Sequence, residues 1–194
     1  GKPRFYAVQG AEKSYASFAL TARNPGGHSS QPRPDNAIYD LADALKALQG
    51  YTFPVMWNDW TIGSFKASAP VTPGETGRAM AKFAAHPGDA DAAAVLAKTP
   101  AMVGRTRTTC VATMLTGGHA DNALPQSAMA TVNCRIFPGT SVAEVRDSLQ
   151  QVVGDRIEVK VLGEPHSSPS SPLRGDVLEA VTKAVRASHP GVPI

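Results

Sequence analysis

Residues 24–30 read NPGGHSS. Pro25 fixes one backbone angle, and Gly26 and Gly27 open conformations closed to other residues, so His28 stands on a sharply bent loop that presents its imidazole. A second cluster, LTGGHADNALPQS at 115–127, holds His119 and Asp121 in an H-x-D spacing. Metal sites use that spacing because both side chains can reach one ion, but further ligands are not spaced nearby, and a solvated loop accounts for the pair. Asn122 precedes the turn residues Ala-Leu-Pro, where its amide either caps the turn or holds a ligand. Arg135 lies in a strand-like run between Cys134 and Ile136. Its planar guanidinium fits a carboxylate and equally fits an ordinary cross-strand pairing.

Four segments alternate with the period of a half-buried strand, and these must position the polar residues. Ala16, Phe18, Leu20 and Ala22 share one face of the first, opposite Ser17, Thr21 and Arg23. Cys110, Ala112 and Met114 share a face of the second; Ala128, Ala130, Val132, Cys134 and Ile136 share a face of the third. Ile157, Val159 and Val161 form the buried set of the fourth. Such alternation describes an antiparallel sheet covered on one side, which leaves Arg135 on the uncovered side.

Two amphipathic helices complete the pattern. Residues 36–49 carry Ile38, Leu41, Ala42, Leu45 and Leu48 at helical spacing, with Asp35 placed to cap the first turn. Residues 141–153 carry Val142, Val145, Leu149 and Val152; Ser141 and Glu144 form a capping box, and Gly154 ends the helix. The order strand, helix, strand, strand, helix, strand predicts an α+β, ferredoxin-like two-layer sandwich: a four-stranded antiparallel sheet with two helices on one face. Residues 50–107 are too long for a plain connection, and GRAMAKFAAH and DADAAAVLAKT predict a helical insertion of two Ala-rich helices split by HPGD. A Pro/Ser-rich linker, GEPHSSPSSPLRG, then leads to an amphipathic helix at 175–188.

Composition narrows the function classes. The 194 residues carry 19 basic and 16 acidic side chains, net +3, scattered without a block, which speaks against nucleic-acid binding. No apolar run approaches the roughly 18 residues that a membrane span requires. Cys110 and Cys134 match neither a disulfide scaffold nor a zinc spacing. They are equidistant from Asn122, however, so a hairpin over 108–137 paired symmetrically about that residue sets them opposite each other.

Three separated signatures occur in one order: G-G-H-S at 26–29, G-G-x-x-x-N-x-x-P at 117–125, and N-x-R-x-x-P-G at 133–139. Together they resemble the dimerisation or lid domain of the zinc metallopeptidases that include aminoacylase, glutamate carboxypeptidase and succinyl-diaminopimelate desuccinylase. The resemblance covers 12–162, with 50–107 as the insertion, 1–11 as a linker from a catalytic domain, and 163–194 as a linker and helix returning to it. It implies that His28 polarises the scissile carbonyl in the partner subunit's active site, and that Asn122 and Arg135 bind substrate, the arginine through a carboxylate. It further implies a homodimer formed through the lid, a peptide or N-acyl amino acid substrate, and two zinc ions held in a catalytic domain outside this sequence. The H-x-D of 119–121 falls inside the lid's own signature, so no metal ligand is assigned here, and the chain alone is expected to be inactive. The competing reading is a non-enzymatic ferredoxin-like interaction module whose open sheet binds a partner.

Overall fold

The computed structural model describes residues 6–192, so the first five residues of the expected leading linker fall outside the described residues. In chain order the elements are β1 (Ser14–Arg23), β2 (Gly27–His28), α1 (Ala37–Gly50), α2 (Asp59–Ser68), α3 (Gly74–Ala85), α4 (Ala90–Ala97), α5 (Pro100–Val103), β3 (Thr109–Gly117), β4 (Ala123–Leu124), β5 (Ser127–Ile136), α6 (Val142–Val153), β6 (Ile157–Leu162) and α7 (Gly175–Ser188). They fall into two compact units. One comprises 13–54 and 108–167; the other comprises 55–107 with 6–12 and 168–192.

The first unit is the ferredoxin-like sandwich. Its sheet runs β3-β5-β1-β6 with every neighbouring pair antiparallel, and β2 with β4 form a separate two-stranded ladder. The inward set of β1 and β5 is the one the alternation predicts. Phe18, Leu20, Ala130, Val132, Cys134 and Ile136 are fully buried against Leu41, Val145 and Leu149 of the helices. Cutting one of the large members of this set back to alanine costs about 2–5 kcal/mol. The α6 capping box forms as predicted: Ser141 Oγ accepts from the Glu144 N–H, and Glu144 Oε2 accepts from the Ser141 N–H. Gly154 closes that helix at φ +76°.

Two expectations need correction. Asn36, not Asp35, caps α1, its Oδ1 accepting from the Ile38 N–H at 2.9 Å; Asp35 is occupied by Asn24 and Arg33 instead. Met114 does not share a face with Cys110 and Ala112. Between Ala112 and Met114 the β3–β5 register slips by one residue: Ala112 opposes Val132, but Met114 opposes Thr131. This β-bulge reverses the alternation, as one extra residue must. Met114 therefore joins the open face, and Leu115, opposite Ala130, turns to the helix side.

The second unit has its own core, Phe65, Met80, Phe83, Ala92, Ala93 and Leu96. The two Ala-rich helices appear as α3 and α4; α2 and α5 were not anticipated. In α2, Thr61, Ile62 and Gly63 weaken the helical signal, and the helix is secured by Asn58, whose Oδ1 accepts from the Thr61 N–H. Helix α7 spans the expected residues, and none of its side chains is buried. No helix among the described residues is long and apolar enough to cross a membrane.

Upstream of the bulge, Cys110 and Cys134 are direct cross-strand partners with Cα atoms 4.1 Å apart, and they form a disulfide. Protein purified without reductant should be lighter by two hydrogens than its reduced form, and Cys110→Ala/Cys134→Ala should lose about 2–4 kcal/mol in chemical denaturation. Two titratable thiols in the native, unreduced protein would sink this expectation.

Candidate functional site

The His28 loop is built by a short chain of polar contacts. The Asn24 amide donates to Asp35 Oδ2 at 2.8 Å, its Oδ1 accepts from the Gly26 N–H at 2.9 Å, and its backbone N–H bonds Gln126 O at 2.9 Å. Arg33 grips Asp35 with two donors, at 2.9 and 2.8 Å. These bonds from Arg33 and Asn24 hold the Asp35 carboxyl down at about 2. Gly26 sits at φ +79°, where a Cβ would also meet Gln126 Cγ at 2.7 Å, so the bend requires glycine.

Beyond the bend, β2 pairs with β4, setting His28 opposite Ala123, and the Ser29 N–H donates to Asn122 O at 3.0 Å. The structure thus brings His28 and Asn122, far apart in sequence, to one exposed corner. The His28 ring has a defined polarity. The Ser30 backbone N–H lies 3.2 Å from Nδ1, and the Ser30 hydroxyl 2.9 Å from it. A backbone N–H can only donate, so Nδ1 is the acceptor and the neutral ring carries its proton on Nε2. Nε2–H is then a hydrogen-bond donor on an exposed ring.

Arg135 is elsewhere. It lies on the open face with Tyr15 opposite on β1 and Thr109 opposite on β3. Its guanidinium stacks over the Tyr15 ring, 5.0 Å from the centroid. One row along, the Asn133 amide donates to Ser17 Oγ at 3.1 Å. Lys13, two residues before Tyr15, adds a second cation. Burial, reinforced by the like charge of Arg135, lowers its amine to about 8. A guanidinium seated on an aromatic ring at the open face of a sheet can hold a carboxylate, and Lys13 lies near enough to feel its charge. Sequence reasoning missed Lys13 and Tyr15, although alternation places 13, 15 and 17 on the face that Arg135 shares.

Within one chain the two groups do not meet. Arg135 lies near the end of β5, while the His28–Asn122 corner lies beyond Ser127 at its start, eight residues or about 27 Å away. His119 and Asp121 remain exposed in the connecting loop. Among the described residues no three His, Cys, Asp or Glu side chains gather, so these residues do not fit a metal centre.

The two sheet edges differ in kind. On β6 the outward-facing Glu158 and Lys160 pair at 2.7 Å, a charged edge of the sort that resists further strand addition. Strand β3, TCVATMLTG, carries no charge, and Val111, Met114 and Leu115 are 60–66% exposed. Beside it, Leu115 and Gly117 join Ile38, Ala42 and Leu45 of α1 to line an apolar groove of about 170 Å³.

Comparison with known proteins agrees with this architecture. The chain is 28% identical over 193 residues to the N-fatty-acyl-amino acid synthase/hydrolase PM20D1 of Mus musculus, covering 94% of this chain and 37% of that protein. It is 28% identical over 145 residues to the probable carboxypeptidase S-like 2 of Dictyostelium discoideum, covering 74% of this chain and 27% of that one. The chain therefore spans only about a third of the length of the curated relatives it matches. Among solved structures, the M20 family metallo-carboxypeptidase Sso-CP2 of Sulfolobus solfataricus shares the fold, with a TM-score of 0.56 at 14% identity over 92% of this chain and 50% of that one. The family model described as the peptidase dimerisation domain matches residues 10–160, which carry the His28 corner, the Arg135 site and the uncharged edge, and the chain belongs to that family of M20 peptidase dimerisation domains.

Proposed function

We propose that the chain is the lid of a metal-dependent hydrolase of peptide or N-acyl amino acid bonds, and that each active site takes its lid residues from two copies. The observation that carries this reading is the separation of about 27 Å between the His28–Asn122 corner and Arg135, too far for one small substrate to touch both. Antiparallel pairing of two β3 edges about a two-fold axis removes the difficulty. It sets the Thr109 end of one strand beside the Gly117 end of the other, so Arg135 of one copy approaches His28 and Asn122 of its partner. The uncharged β3 edge and the groove beside α1 supply the apolar surface that such an interface covers.

In this scheme Arg135, seated on Tyr15 and assisted by Lys13, holds the free carboxylate of the substrate. The partner's His28 donates from Nε2 to the scissile carbonyl oxygen as negative charge builds there, and Asn122 positions the same group. Two zinc ions, bound by a catalytic domain of the same polypeptide, would supply the activated water. The residues described here fit no such centre, and their part is to bind, orient and polarise. The names of the relatives, an N-fatty-acyl-amino acid synthase/hydrolase and a carboxypeptidase S-like protein, support substrates that end in a free carboxylate.

Complementation in the protein that includes its catalytic domain tests the two-copy site. His28→Ala and Arg135→Ala homodimers should each be inactive. Mixed dimers contain one complete site, with Arg135 from one parent and His28 from the other. Equal amounts after free exchange should therefore recover roughly a quarter of wild-type activity. His28→Ala mixed with Asn122→Ala should recover nothing, because those residues serve the same site together. Recovery in the second mixture, or none in the first after exchange is verified, defeats the proposal.

Arg135→Lys should raise KM for free-carboxylate substrates tenfold or more and change amidated analogues little, since lysine keeps the charge and loses the planar fork. Equal losses on both substrate kinds would mark Arg135 as structural.

Lys13 gives the site a pH dependence. In the free protein its amine is charged below about 8 and neutral above, and a bound carboxylate holds the proton on. Affinity for carboxylate substrates should be full below about pH 8 and fall as pH rises past it. Lys13→Met should weaken binding and flatten that decline. A profile identical in Lys13→Met and wild type would remove Lys13 from the site.

A further inference from the structure

The bend that precedes His28 is held by one side chain used at both of its polar ends. Asn24 and Asp35 lie eleven residues apart, and the loop between them carries Gly26, Gly27 and His28. Asp35 Oδ2 accepts from the Asn24 amide at 2.8 Å, and Asn24 Oδ1 accepts from the Gly26 N–H at 2.9 Å. The orientation of that amide is forced. An ionised carboxylate offers only acceptors, so the NH2 group must face Asp35, which leaves the carbonyl oxygen of Asn24 for Gly26. Arg33 occupies both carboxylate oxygens, Nε on Oδ1 and an Nη on Oδ2, and so fixes the plane of the carboxylate that Asn24 meets. Gly26 is buried, where an N–H without a partner is disfavoured, and its φ of +79° is the turn that sends the chain toward His28.

We propose that Asp35, acting through Asn24, is the positioning residue of His28: the carboxylate orients the amide, the amide fixes Gly26, and the bend at Gly26 sets where the imidazole stands. The proposal rests on the reading of His28 as the group that polarises the scissile carbonyl, and it adds what keeps that group in place. Other restraints on the loop are slight. Past the bend, the ladder of β2 with β4 is two residues long, and the Ser29 N–H adds one bond to Asn122 O. Both lie beyond Gly26 and leave the bend itself unset. Asp35, by contrast, stands just before α1, whose Ala37, Leu41 and Leu48 are buried in the core, so the clasp ties the loop to a part of the fold that does not yield. An exposed imidazole is placed by the backbone that leads into it, and a displacement of about 1 Å at a reacting centre costs about a hundredfold in rate.

Exchange of the two side chains tests this. Asn24→Asp removes the donor and sets two carboxylates face to face; Asp35→Ala removes the acceptor. In the double variant Asn24→Asp/Asp35→Asn the carboxylate stands at 24, where it accepts from the Gly26 N–H and from the amide at 35, so the bridge forms again with its charge moved. In this chain, amide hydrogen exchange followed by NMR reads the loop. The Gly26 and Ser29 amides should exchange about tenfold faster in both single variants and return to the wild-type rate in the double variant. In the protein that includes its catalytic domain, both single variants should lose about tenfold or more in kcat with little change in KM, and the double variant should recover to within about threefold of wild type. Ser29 protection that survives in both single variants, or a double variant as poor as Asn24→Asp, overturns the proposal. Loss of protection that spreads to the core strands overturns it too, since the clasp would then be a general support of the fold. If His28→Ala is inactive while both single variants keep wild-type kcat, the positioning role is wrong and the His28 reading stands. If His28→Ala keeps its activity, the His28 reading fails and takes the proposal with it.

Discussion

Strand β5 is hydrogen-bonded along both edges, to β1 on one side and β3 on the other, and the geometry of the candidate site follows from that double pairing. Because both ladders run its length, β5 fixes the register of its neighbours and thereby which side chains face the helices and which face outward. Its buried alternate residues, Ala128 to Ile136, make the choice of face unambiguous, since a slip of one would bury Arg135 and Asn133 in the apolar layer. Its length also sets the distance between the corner at one end and the cations at the other. A rigid strand is a better spacer than a loop for holding two polar groups at a fixed separation.

The features legible in the sequence were those written in local pattern. The alternation of β1 and β5, the capping box at Ser141 and Glu144, and the stop at Gly154 are decided within a few residues, and they agree with the structure. The adjacency of Cys110 and Cys134 was also legible, because symmetric pairing about Asn122 holds on their side of the bulge. The bulge itself was not. Nothing in ATML distinguishes a regular strand from one with an extra residue, since the slip is settled by the partner strand and by the Thr113 hydroxyl donating to Thr131 O. Helix α2 escaped for a related reason: its stability comes from Phe65 packing into the second unit's core and from the Asn58 cap, while its own composition argues weakly for a helix.

The candidate residues could be picked out from the sequence, but their arrangement could not. His28, Asn122 and Arg135 stood out by type and motif, but their separation along the sheet appears only once the pairing is known. The closeness of His28 to Asn122 depends on a two-residue ladder and one backbone bond, too short to leave a periodic trace. Lys13 was hidden because its lowered amine comes first from burial and then from Arg135 across the strands, and it lies one residue before β1 begins.

The disulfide has a topological meaning as well as an energetic one. It joins residues 110 and 134, so β3 beyond Cys110, the tip carrying His119 to Asn122, β4 and most of β5 belong to one covalent ring. That tip is exposed throughout His119–Asn122, where a protease would find its substrate. A single cut there opens a ring and does not divide the molecule. The severed ends remain tethered through sulfur while both β ladders stay paired, so the nicked protein keeps its mass, gaining only one water, until a reductant and a denaturant together separate it into two pieces.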